Sequence, residues 1–124
     1  IFVRRRLTRR RWFAKVRGVE VDMDSKVKEV LVKARSKIEQ GWCQGASARG
    51  RGGRTDVACA DDAAREWCAL GAILAVCGPE PEYQFVYAFM INAGIQHITV
   101  WNDRPGRTQA EVLAAFDRAI EACK

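Results

Sequence analysis

The run from Trp67 to Cys77 (Trp-Cys-Ala-Leu-Gly-Ala-Ile-Leu-Ala-Val-Cys) carries no charge and almost no polar side chain. A segment without a polar face belongs at the centre of a core, so the rest of the chain has to be arranged around it. It is too short to cross a bilayer, which takes roughly 20 apolar residues. Asp61 and Asp62 precede it and suit the positive end of a helix dipole. Together these features predict a buried helix over residues 61–76, with Cys68 in mid-helix. Gly71 inside that helix costs about 1 kcal/mol against alanine, a cost that close approach by another backbone would justify.

Three further helices follow from apolar residues recurring at helical spacing. Val27, Val30, Leu31, Ala34 and Ile38 form one stripe over residues 25–40, capped by Asp24 or Ser25. Gly41 is expected to stop this helix in the left-handed conformation. After the breaker Gly78-Pro79-Glu80-Pro81, Phe85, Val86, Phe89 and Met90 mark the inner face of a helix over 82–93, ended by Gly94. Thr108-x-x-Glu111 is a capping box opening a last helix with Val112, Leu113, Phe116, Ala119 and Ile120 inward. Between these two, Ile98 and Val100 alternate and predict a short extended piece, and residues 102–106 read as a turn. Residues 42–60 read as a loop, with a flexible basic centre at 49–54. The fold class is mostly α: a compact bundle of about four helices with irregular loops and a short N-terminal hairpin or strand pair.

The net charge of +6 is unevenly placed. Eight of the 21 basic residues lie in residues 1–17 without an acid, leaving 13 basic against 15 acidic residues in the remainder. This divides the chain into a basic N-terminal extension, 1–22, and a single helical domain, 23–124. The Ile1-Phe2-Val3 stretch is expected to pair with Trp12, Phe13 and Val16 as a hairpin, followed by Val19 and Val21 in alternation. Met23 stands just before the first helix and reads as a candidate start, with a genuine basic arm as the competing reading. A positive block of this density binds phosphate non-specifically, making Arg4, Arg5, Arg6, Arg9, Arg10 and Arg11 candidate nucleic-acid contacts.

The five cysteines are odd in number, contain no Cys-x-x-Cys, and are accompanied by a single histidine, His97. Free thiols in a reducing, cytoplasmic setting are expected, with no structural zinc and no cofactor. No apolar stretch calls for a membrane partner, and strand exchange through the arm is a route to a homo-oligomer.

The less common residues gather at Gly41-Trp42-Cys43-Gln44-Gly45, at Trp67-Cys68-Ala69-Leu70-Gly71-Ala72, and at Trp101-Asn102-Asp103 with Arg107-Thr108. In this order the motifs resemble a family of small uncharacterised bacterial and phage proteins, a domain of unknown function, over about residues 25–122. The resemblance implies fold and boundaries and carries no activity. The arginine-rich leader on a compact bacterial domain also resembles the product of a mobile, integron-type gene cassette.

Three functional readings follow. In the first, the chain is a small binding or interaction domain, with a ligand pocket where the Trp42–Gly45 loop meets the Trp101–Arg107 corner. It draws on Trp42, Gln44, Trp101, Asn102, Asp103 and Arg107. In the second, Cys43 is the nucleophile of a hydrolase or transferase, with His97 as base and Asn102 or Asp103 as orienting group, a Cys-His-Asn order that suits thiolate chemistry. In the third, the arm grips nucleic acid through its phosphates.

Overall fold

The computed structural model describes residues 2–6, 11–16 and 19–123, with side chains described from Asp24 on. Ile1, Arg9 and Arg10, named above, lie outside the described residues. The arm forms three antiparallel strands: β1 (Phe2–Arg6), β2 (Arg11–Val16) and β3 (Val19–Asp22). A hairpin is present and is extended by a third strand, but not with the expected partners: Phe2 stands opposite Lys15 and Val3 opposite Ala14, while Trp12 and Phe13 stand opposite Arg5 and Arg4 and Val16 pairs with Val19 of β3.

The rest is mostly α. Among the described residues there are five helices: α1 (Met23–Gln40), α2 (Ala69–Val76), α3 (Tyr83–Ala93), α4 (Ile98–Asp103) and α5 (Gln109–Glu121). The stripes read from the sequence are the buried faces. Val30, Leu31, Ala34 and Ile38 of α1, Phe85 and Phe89 of α3, and Val112, Phe116 and Ala119 of α5 are all closed to solvent. Phe89 and Phe116 stack with ring centroids 4.4 Å apart, a tilted arrangement that aromatic pairs favour. The capping box at the start of α5 is formed in both directions: Glu111 N donates to Thr108 Oγ1 at 3.2 Å, and Thr108 N to Glu111 Oε1 at 2.9 Å. No described helix is long and apolar enough to cross a membrane.

Five expectations are corrected. The helix over 61–76 is a strand followed by a helix: β5 (Ala64–Trp67) pairs antiparallel with β4 (Ala48–Gly50), a strand inside the expected loop. Asp61 folds back into a turn, its carboxylate accepting from Ala63 N at 2.8 Å, a habit that makes Asp a turn former rather than a helix starter here. Cys68 is then not mid-helix. It caps α2, its sulfur accepting from Gly71 N at 3.3 Å.

The expected extended piece over 95–101 is largely helix α4. Ile98 and Asn102, one turn apart, are buried while Val100 is exposed. That is helical spacing, and the alternation of Ile98 with Val100 is coincidental. Finally, Gly41 does not adopt the left-handed conformation. It is needed because a Cβ there would run into the carbonyl of Arg65.

β5 is held on both edges. On one side it pairs with β4; on the other, Trp67 N donates to Gly41 O at 3.1 Å and Cys43 N to Trp67 O at 3.2 Å. Gly71 has the neighbour its cost called for. A Cβ at that position would collide with the Ser47 carbonyl, which also accepts from Cys68 N at 3.1 Å. The loop before β4 is thereby pressed onto the first turn of α2, and the first two motifs become one unit.

Candidate functional site

The three motif clusters meet at one side chain. Asn102, on the inner face of α4, is the only polar residue among the described ones that is buried outright, at 0% exposure. All of its hydrogen-bonding capacity is met. Its Oδ1 accepts from the indole Nε1 of Trp42 at 2.8 Å and from Ala69 N, in the first turn of α2, at 3.0 Å. Its Nδ2 donates to Cys43 O at 3.1 Å and to Asp103 Oδ1 at 2.9 Å. Only a carboxamide offers two acceptor and two donor positions in this fork, so neither Asp nor Leu can replace it isosterically.

Around this hub the Gly41–Gly45 loop is fastened to the corner after α4. Gln44 Nε2 donates to both Asn102 O and Arg104 O at 3.0 Å, and Gly45 N to Asp103 Oδ1 at 3.1 Å. Arg49 closes the loop from outside, donating to Gln44 O at 3.0 Å and Gly53 O at 3.2 Å. A polar network this fully satisfied stiffens the elements it joins.

On the solvent side of the same corner lies an open groove of about 790 Å³, walled by His97, Val100, Trp101, Asp103, Arg104 and Arg107 among others. Trp101 is half-buried and is covered on one face by the Arg107 guanidinium, 4.2 Å from the ring centroid. Arg107 is tied down by Trp101 O at 2.9 Å and Glu111 at 3.4 Å; it does not pair with Asp103. Arg104 and His97 make no side-chain hydrogen bond or ion pair among the described residues, and with Gln96 and Thr99 they are uncommitted polar groups of the groove.

The site residues named from the sequence therefore divide in two. Trp101, Asp103, Arg107 and His97 line the groove. Trp42, Gln44 and Asn102 stand behind it and use their polar atoms on the protein itself. Arg104 was missed: it sits in what reads as a turn, and only the helical path of α4 brings it to the groove.

The Cys43–His97 pair is not assembled in this structure. Cys43 is buried, and its thiol, pushed up to about 11 chiefly by that burial and then by the neighbouring Cys68, donates to Ala46 O at 3.6 Å. His97 is exposed on the groove and makes no hydrogen bond to it. A thiol this hard to ionise is a poor nucleophile. Burial also raises Cys68, Cys77, Cys123 and the half-buried Cys59 above the ordinary thiol range. Among the described residues no three His, Cys, Asp or Glu converge as metal ligands. Of the arginines in the arm, Arg4, Arg5 and Arg6 lie on β1 and Arg11 opens β2, where it stands opposite Arg6.

Fold and site together define a small, mostly helical domain in which a buried asparagine braces an outward-facing groove. The chain belongs to the family of unknown function DUF6197, whose match covers residues 22–122. No curated protein and no solved structure matches it.

Proposed function

We propose that residues 23–124 form a binding domain whose ligand enters the α4 groove and carries an anionic group beside a flat apolar body. The observation that carries this reading is the state of the groove's polar side chains. Asp103 is engaged by two donors and Arg107 by Glu111, while Arg104 and His97 line the same groove as Trp101 without a side-chain partner among the described residues. A carboxylate or phosphate meets Arg104 through charge-assisted bonds, and an aromatic body packs beside Trp101. The bracing by Asn102 supports the reading, because a preformed groove loses less entropy on binding.

The test is a two-dimensional NMR titration with aromatic carboxylates and their neutral amide isosteres. Shifts concentrated at His97, Trp101 and Arg107, a preference for the acids, and a roughly tenfold or greater weakening in Arg104→Ala are expected. Equal binding of the amides, or shifts elsewhere, would overturn the reading.

One observation favours a second activity in the arm. The register sets Arg6 directly opposite Arg11, a like-charge pair that destabilises a hairpin until a polyanion neutralises it. Non-specific nucleic-acid binding through the arm then requires that affinity fall steeply with salt and vanish when residues 1–22 are removed. Undiminished binding by the truncated chain would exclude it.

A further inference from the structure

The polar groups of the α4 groove change character along the helix. The Gln96 amide and the Thr99 hydroxyl, both neutral, stand at its start; the charged Asp103 and Arg104 stand at its end. Thr99 and Asp103 are one turn apart, roughly 6 Å along the axis. Trp101 comes between them in the chain, one face of its ring taken by Arg107, and Val100 beside it is 69% exposed. Gln96 and Thr99 are exposed and have no side-chain partner among the described residues. Each can both donate and accept.

A simple aromatic acid uses only part of this. It would answer Arg104, yet its ring would cover Gln96 and Thr99 without meeting them, and polar groups shut from water unmet cost affinity. Asp103 adds a second demand. Its Oδ1 accepts from Gly45 N and Asn102 Nδ2, while Oδ2 accepts from no group among the described residues. A carboxylate oxygen held in place and left open asks for a hydroxyl, which donates to it, and repels a second anion. Its neighbour Arg104 asks for that anion. The groove therefore fits a ligand in three parts: a flat ring whose edge both donates and accepts, then hydroxyl groups, then an anion.

We propose that the groove is a nucleotide site that takes a nucleoside monophosphate, an assignment that rests on the groove binding an anion at Arg104. The base packs beside Trp101 and Val100 and turns its edge to Gln96 and Thr99. The ribose hydroxyls donate to Asp103 Oδ2, and the phosphate meets Arg104. A free nucleotide and the phosphorylated end of a strand present this same chemistry.

The test is a titration of the full chain read by two-dimensional NMR at Gln96, Thr99, Trp101 and Arg104, so that binding to the arm does not register. Adenosine monophosphate and uridine monophosphate should each bind roughly tenfold or more tighter than phenyl phosphate, and adenosine monophosphate by a similar factor tighter than adenosine. Dideoxyadenosine monophosphate, which lacks the ribose hydroxyls, should bind about fivefold or more weaker than adenosine monophosphate. Arg104→Ala should abolish the advantage of the monophosphate over adenosine. Gln96→Ala combined with Thr99→Ala should weaken the nucleotides and leave phenyl phosphate unchanged. All three positions are exposed, so the circular dichroism spectrum should not change. Phenyl phosphate binding as tightly as the nucleotides, or a double variant that weakens every ligand equally, would overturn the nucleotide assignment and leave the anion site standing. No shift in the groove with any phosphate would overturn both. A phosphorylated dinucleotide that binds more tightly than the monophosphate supports the site as one for a strand end; equal or weaker binding supports it as one for a free nucleotide.

Discussion

Replacing Asn102 tests the hub from which the site is built. Alanine at 102 removes the partners of the Trp42 indole N–H, the Ala69 N–H and the Cys43 carbonyl in a place closed to water. The fourth partner, Asp103 Oδ1, keeps the bond from Gly45 N. Each buried group left unmet costs about 1–3 kcal/mol. Allowing for partial relaxation, three of them give roughly 3–6 kcal/mol, a large share of the roughly 5–15 kcal/mol that holds such a domain together. At about 3–4 °C per kcal/mol for a chain of this size, the melting temperature should fall by roughly 10–20 °C.

Asn102→Asp is the sharper variant. It keeps both acceptor bonds but turns the two donor positions towards Cys43 O and Asp103 Oδ1 with at most one proton to offer. Burial and Asp103 push the new carboxyl above its unfolded range. The stability it retains is then present below the unfolded value of about 4 and lost as pH rises through the raised folded value. Urea unfolding of wild type, Asn102→Ala and Asn102→Asp at pH 4.5 and pH 7 should show the Asp variant closer to wild type at the lower pH. The alanine deficit should be similar at both. An alanine cost under about 1 kcal/mol, the worth of one ordinary hydrogen bond, would refute the reasoning.

Three further outcomes are expected. Gly71→Ala should lower stability by about 2–4 kcal/mol despite alanine's better helix propensity, because the new Cβ meets the Ser47 carbonyl; an unchanged urea midpoint would show that the loop yields. With iodoacetamide at pH 8, peptide mapping should find Cys59 labelled first and Cys43 last among the two, since Cys43 is buried with its thiol pushed up to about 11; fast labelling of Cys43 would reopen the nucleophile reading. Glu111 is held below the usual carboxylate range first by the Thr108 N–H, so its contribution is present above the unfolded value and lost as pH falls through the folded one. Glu111→Gln should therefore flatten the acid limb of the stability profile, and an identical limb would count against the capping box as its cause.

The helical part of this fold could be read from the sequence because each of its stripes repeats within a single segment. Val30, Leu31, Ala34 and Ile38, or Val112, Phe116 and Ala119, announce their helix without help from elsewhere. β5 could not be read that way. Arg65 and Glu66 separate its two buried residues, so no alternation marks it, and its hydrogen bonds come from Gly41 on one side and β4 on the other. The three motifs were visible as clusters, yet nothing local shows that Asn102 turns inward. Its burial is decided by Trp42, Cys43 and Ala69, residues 33 to 60 positions away. Arg104 emerges only once α4 is a helix.

The most direct test of the Asn102 hub is hydrogen exchange at its own side chain, read by NMR together with the Trp42 indole. If Asn102 joins the three motifs as described, its Nδ2 protons and the Trp42 Nε1 proton should exchange as slowly as the best-protected amides of α1, opening only with the whole domain. If those protons exchange as fast as exposed ones while α1 stays protected, the hub is not closed and the groove it is said to brace is not preformed.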